Sequence, residues 1–132
     1  MLSGGCLCGV VRYRIDAEPL GAPTLCHCRS CQRACGAHAV AWLTVPASSL
    51  QYLKSPPASV VSSAGVKRGF CPCCGSPLTY WNESRAAEID VTLCSLDDPN
   101  AVPPADQIWT EDAVEWERDV PGLPRWERLR GR

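Results

Sequence analysis

Four cysteines fall within ten residues of the stretch LCHCRSCQRACGA, Leu25 to Ala37: Cys26, Cys28, Cys31 and Cys35. Thiolates packed this closely in sequence are the usual ligands of a borderline-soft metal, and zinc is the first choice. Cys26, Cys28 and Cys31 have C-x-C-x-x-C spacing and can all reach one ion. Cys35, four residues beyond Cys31, could lie on the same helical face and complete a closed site. Three thiolates leave a coordination position free for a substrate and so for chemistry, whereas four make an inert structural centre. A closed site usually draws its ligands from two chain segments, and four from one short loop are crowded, which favours three.

A second constellation lies further apart. GCLCG supplies Cys6 and Cys8, and FCPCCGS supplies Cys71, Cys73 and Cys74. Cys71 and Cys74 have the C-x-x-C-G layout of a zinc knuckle, in which glycine relieves a tight turn and backbone N–H groups point at sulfur. With Cys6 and Cys8 they can complete a four-cysteine structural site that would tie the N-terminus to mid-chain, so that metal binding would contribute to folding; the alternative is that they are buried as small hydrophobes. Cys73 sits between two ligands and points elsewhere. Rubredoxin-like iron normally uses two C-x-x-C knuckles; here the partner pair is C-x-C, which favours zinc. A zinc on three thiolates carries a formal −1. Arg29 and Arg33 within the loop, or Lys67 and Arg68 before the other cysteines, could offset that charge or hold an anionic substrate. His27 lies between two better-placed cysteines and is not read as a ligand, nor is His38.

These residues must be held by short strands and turns. Val11, Tyr13 and Ile15 alternate with Arg12 and Arg14, the pattern of a half-buried strand. AVAWLTV, Ala39 to Val45, is apolar enough for a central strand, ended by Pro46. Val60-Val61 and Val66 to Phe70 read as strands flanking Gly65, followed by PLTYW and EIDVTLC, with Ile89, Val91 and Leu93 on one face. SPP and LDDPN are turns, and Asp97 and Asp98 are expected to cap the latter. Only Arg29 to Ala34 reads as helical. Cys94, at the end of a strand, is expected in the core. Trp109, Trp116 and Trp126 suit a pocket, a dimer surface or the core, and core is the commonest place for such residues. The spacing of strands predicts an all-β sandwich or folded sheet.

A chain of 132 residues is expected to form one domain, residues 1–132. The net charge is −1 with scattered Lys and Arg, which argues against a nucleic-acid partner. No stretch approaches the roughly 20 apolar residues of a membrane span, and the N-terminus lacks the features of a signal peptide. A cytoplasmic location is expected, where thiols stay reduced, so ten cysteines call for metal rather than disulfides.

With both clusters in view, the chain resembles the glutathione-dependent formaldehyde-activating enzyme (Gfa) family, whose eukaryotic relatives include centromere protein V. The resemblance rests on GGCLCGVVRY, CHCRSCQRACGA, RGFCPCCGSPLTYW, VTLCSLDDP and QIW followed by DVPGLPRW, in the family's order from Gly4 to Trp126. It implies a mainly β fold, the β-tent, made of short antiparallel strands stapled by zinc, with few helical turns. It further implies two zinc ions: a structural one on Cys6, Cys8, Cys71 and Cys74, and a catalytic one on Cys26, Cys28 and Cys31, with Cys35 outside the ligand set. Gln107 departs from the family's frequent histidine before IW. The implied activity is that of a carbon–sulfur lyase which joins a small aldehyde, formaldehyde, to a small thiol, glutathione, as S-(hydroxymethyl)glutathione. An open three-cysteine zinc suits it, because metal binding lowers a thiol's pKa. The alternative is a non-catalytic protein-binding module with both metal sites closed, which the fold alone does not exclude.

Overall fold

The computed structural model describes residues 1–131. The described residues form ten strands and one short α-helix: β1 (Leu2–Gly5), β2 (Arg12–Ile15), β3 (Thr24–Cys26), α1 (Arg29–Cys35), β4 (Val40–Pro46), β5 (Leu50–Tyr52), β6 (Ala58–Ser63), β7 (Val66–Phe70), β8 (Pro77–Asn82), β9 (Glu88–Thr92) and β10 (Asp106–Ile108). They build a three-stranded sheet in the order β1-β2-β5 and a seven-stranded sheet in the order β10-β3-β4-β9-β8-β7-β6. The mainly β architecture of short strands is the one expected. Its pairs are antiparallel except β10 with β3, which run parallel with Ile108 beside Cys26.

β4 shows how alternation organises the molecule. Successive side chains on a strand point to opposite faces. Leu43 and Val45 join the main core with Val11, Tyr13 and Ile15 from the small sheet, together with Leu78 and Val91. Val40 and Trp42 project the other way, into a separate cluster with Cys26 and Cys31. One central strand therefore separates the apolar core from the floor of the second thiol cluster.

One expectation fails where a strand ends early. β9 stops at Thr92, and Leu93–Ser95 form a 3-10 turn. The turn breaks the two-residue alternation, so Leu93 and Leu96 enter the core while Cys94 is exposed. Of the places open to the C-terminal tryptophans the core is ruled out: Trp109, Trp116 and Trp126 are all exposed. Their segment, residues 107–131, holds the 3-10 turns Thr110–Asp112 and Glu115–Gly122 and has no buried residue, so it lies on the surface.

Tyr13 ties the small sheet to that turn. It is 1% exposed, and its hydroxyl donates to Ser95 Oγ at 2.7 Å, Ser95 itself donating to the Thr92 carbonyl. A side chain at Gly4 would collide with the Tyr13 hydroxyl and the Ser95 carbonyl, so only glycine fits there. Burial pushes the Tyr13 phenol up to about 12 from about 10 in the unfolded chain. Between those values the unfolded state ionises and the folded state does not, so stability should be full below pH 10 and fall by about 2–3 kcal/mol towards pH 12. Tyr13→Phe should lose about 1 kcal/mol at neutral pH with the hydrogen bond but lack this part of the alkaline decline. Urea midpoints measured against pH for both chains check it.

Candidate metal centres

The first centre is built from two glycine-closed turns. In one, the Cys6 N–H donates to the Val11 carbonyl and the Gly9 N–H to the Cys6 carbonyl, with Gly9 at φ 81°. In the other, the Gly75 N–H donates to the Cys71 carbonyl at 2.8 Å, with Gly75 at φ 79°. Both positive angles suit glycine and disfavour other residues. The turns aim backbone donors at sulfur: Val11 N–H at Cys6 Sγ, 3.3 Å, and Cys73 and Cys74 N–H at Cys71 Sγ, both 3.4 Å. Ser76 bridges the turns, since its hydroxyl oxygen accepts the Leu7 N–H and lies 3.1 Å from Cys74 Sγ. This contact, with help from backbone donors, holds the Cys74 thiol down at about 5. Nothing in the cysteine spacing singled Ser76 out.

The four sulfurs of Cys6, Cys8, Cys71 and Cys74 lie within 4.8 Å of one another. Adjacent pairs are 3.6 and 3.8 Å apart, far longer than a disulfide bond of about 2.0 Å. A tetrahedral zinc with Zn–S of about 2.3 Å requires edges of about 3.8 Å. The donor set and its spacing fit zinc. Cys73 is exposed and stands apart from the cluster.

The second cluster gathers Cys26 at the end of β3, Cys28 as the N-cap of α1 and Cys31 in its first turn. Cys28 Sγ accepts the Cys31 N–H at 3.3 Å, so the capping requirement of the helix fixes one donor beside the next. The three sulfurs lie within 4.8 Å of one another, and Cys35 is not part of that set. Cys35 sits a turn further along α1 and packs against the cluster from the side. Burial pushes Cys26 up to about 12 and raises Cys31 and Cys35 as well. Buried thiols of this kind ionise when a cation compensates them, so this set too fits a metal.

Cys26, Cys28 and Cys31 line a cleft of about 730 Å³ with Trp42, Arg68 and Tyr80, within the roughly 300–1,000 Å³ of small-molecule sites. Both Arg68 terminal nitrogens lie 3.7 Å from Cys31 Sγ, and its guanidinium stacks 5.0 Å from the Tyr80 ring centre. Lys67, next to it in β7, points to the opposite face over Trp81. Strand alternation thus divides the Lys67-Arg68 pair, and only Arg68 serves the cleft. Arg29 and Arg33 from α1 both line it. Arg85 also does, but it is bound to Asp90 at 2.6 Å and to Glu88 at 2.8 Å. Tyr80, Arg85 and Asp90 come from β8, β9 and the link between them, and no local sequence signal marked them.

The family model of the glutathione-dependent formaldehyde-activating enzyme matches residues 1–112, which include both thiol clusters. The chain belongs to that family. Among solved structures, a crystal structure of a Rhodobacter sphaeroides protein has a similar fold, with a TM-score of 0.64 at 22% identity over 80% of this chain and 98% of that one. No curated protein matches. Membership in the formaldehyde-activating family points to a lyase-like function with a small thiol and an aldehyde as partners.

Gln107 has a definite task in this chain. His27 is fully buried and donates its Nε2–H to Gln107 Oε1 at 2.7 Å, which leaves its Nδ1 without a partner. His27 therefore braces the thiol loop against β10 and stands outside both sulfur clusters. His38 is likewise outside them, against the Trp116 ring. Asp98 caps its turn through the Asn100 N–H, and Asp97 forms a two-pronged ion pair with Arg12. No described helix is long and apolar enough to cross a membrane.

Proposed function

We propose that the protein is a small zinc-dependent carbon–sulfur lyase, resembling S-(hydroxymethyl)glutathione synthase, that makes and breaks a thiol–aldehyde adduct. It works as one domain over residues 1–132, in the cytoplasm, with two zinc ions and without nucleic-acid or membrane partners. Cys6, Cys8, Cys71 and Cys74 hold the structural ion; Cys26, Cys28 and Cys31 hold the catalytic one. The observation that carries this reading is the open side of the second cluster: three sulfurs share a cleft, and Cys35 stays out.

A zinc ion bound there supplies a Lewis-acidic position that lowers the pKa of a substrate thiol. The surrounding residues do the rest. Arg68, packed on Tyr80 and directed at Cys31 Sγ, offsets the negative charge of the thiolates. Arg85 is neutralised by its carboxylates, so Arg29 and Arg33 are the cations available to a substrate's carboxylates. They lie one helical turn apart on α1 and orient the thiol end over the sulfur cluster. In the reaction the thiol gives up its proton, its sulfur forms a bond to the carbonyl carbon, and the carbonyl electron pair moves to oxygen, which takes a proton. Thiol and aldehyde thus combine without loss of an atom, and the reverse sequence releases them.

The test is the rate at which glutathione and formaldehyde reach equilibrium with their adduct, followed by exchange NMR. The zinc-loaded protein should accelerate exchange in proportion to its concentration. A rate equal to that of buffer, on protein shown to carry two zincs, would sink the lyase reading and favour the binding module.

A further inference from the structure

Trp109 lines the cleft, and its backbone is unusual. At φ 55° it is the one non-glycine residue with a positive φ among those described, a conformation that a bulky residue adopts only where its neighbours enforce it. The enforcing contacts are on both sides. Before it, Ile108 pairs with Cys26, and its carbonyl accepts the His27 N–H at 3.0 Å. After it, Thr110–Asp112 form a 3-10 turn closed by the Asp112 N–H on the Trp109 carbonyl. The Gln32 side-chain amide then holds the Asp112 carbonyl at 3.1 Å. His27 and Gln32 belong to the thiol loop and α1, so Trp109 is mounted directly on the scaffold of Cys26, Cys28 and Cys31.

Despite that mounting, the residue is 57% exposed. A strained backbone that buries little of its own side chain is not explained by packing. It is explained if the ring is held ready for a ligand. Ile108 and Val60, also exposed, line the same cleft, giving it an apolar side besides the arginines of α1. Formaldehyde puts only hydrogen on the carbon that joins sulfur, and nothing in its adduct would use an apolar wall at that position.

We infer that Trp109, with Ile108 and Val60, forms an apolar subsite for the substituent on the carbonyl carbon, so that the cleft accepts adducts of alkyl and aryl aldehydes besides that of formaldehyde. The inference rests on the lyase reading above for the identity of the adduct. The chemistry is unchanged: a thiol adds across RCHO to give S–CH(OH)R, with R against the indole.

Two thioethers separate the subsite from the chemistry. S-methylglutathione imitates the formaldehyde adduct, and S-benzylglutathione places a phenyl group on the same carbon. Titrated calorimetrically into zinc-loaded protein, the benzyl compound should bind about tenfold more tightly, as contact with one aromatic ring face allows. Trp109→Gly fits the positive φ without strain and should cut that advantage to less than about twofold, with S-methylglutathione changed by no more than about twofold. Trp109→Asn, which also tolerates this backbone, should do the same, and Trp109→Phe should keep most of the preference. Equal affinities in the unmodified protein, absence of binding by either compound, a benzyl advantage that survives Trp109→Gly, or equal weakening of both ligands would each overturn the inference. The formaldehyde exchange rate of the same preparation judges the lyase reading separately. Exchange without benzyl preference removes only the subsite, and a Trp109-dependent preference without exchange removes only the lyase.

Discussion

Cys71→Ser should leave the chain unfolded at 25 °C. The Cys71 thiol is fully buried, takes two backbone N–H groups and lies 3.8 Å from Cys8 Sγ. Its loss would leave three thiolates in a site whose turns are shaped for four. Structural zinc sites of this kind contribute on the order of 10 kcal/mol or more in apparent binding free energy, while a domain's net stability is about 5–15 kcal/mol. The deficit cannot be absorbed. Near-ultraviolet circular dichroism should vanish, and strong chelation of the unmodified protein should produce the same spectrum. Cys73→Ser, between the ligands but exposed, should shift stability by less than about 0.5 kcal/mol. A folded Cys71→Ser chain within 1 kcal/mol or so of normal stability would mean that the cluster is merely a set of buried thiols.

The second large effect is expected at Cys28, on activity and not on folding. Serine is among the best N-cap residues, and Cys28 is the N-cap of α1, accepting the Cys31 N–H. Cys28→Ser therefore keeps the helix start while removing a thiolate. It should lower zinc content from two per chain to one and reduce adduct exchange by more than about a hundredfold, since even residues that only support a ligand commonly cost 10–100-fold. Its thermal midpoint should stay within a few degrees of normal. Cys35→Ser should keep both ions and exchange within about threefold, because Cys35 stands outside the set of three mutually close sulfurs. Loss of an ion on changing Cys35 would close the site and remove the case for catalysis there.

Much of this was legible in the sequence because metal ligation is written locally. C-x-C-x-x-C and C-x-x-C-G specify turns of a few residues, and those turns appear with glycines where the backbone needs them. Likewise β2 and β4 announce themselves by alternation, a property of neighbouring residues. What could not be read is what depends on distant pairing. β10 is three exposed residues, DQI, with no alternation to betray it, and it is a strand only because β3 lies beside it. The separation of Lys67 from Arg68, the outward turn of Cys94 and the placement of Trp109 all follow from where strands stop and which face meets the cleft. Arg85 and Asp90 look like ordinary surface charges in sequence, yet Asp90 is buried and also accepts the Thr44 hydroxyl at 2.6 Å.

The first thiol cluster also imposes an order of events during synthesis. Cys8 and Cys71 are 63 residues apart, and chains grow at about 5–20 residues per second. Cys6 and Cys8 therefore wait roughly 3–13 seconds from their own incorporation until Cys71 is added, without the sulfurs that complete their site. Through that interval Cys6 and Cys8 lack the sulfurs of Cys71 and Cys74, and Val11, Tyr13 and Ile15 lack Leu78 of β8 and Val91 of β9, which follow Cys71 in the chain, whereas β4 precedes it. The nascent N-terminus is thus a pair of open thiols beside a partly covered apolar strand; the second knuckle completes the thiol cluster, and β8 and β9 complete the core only after it. Oxidation or metal shortage therefore has a window for acting on the growing chain, which closes once Cys71 and Cys74 have joined Cys6 and Cys8.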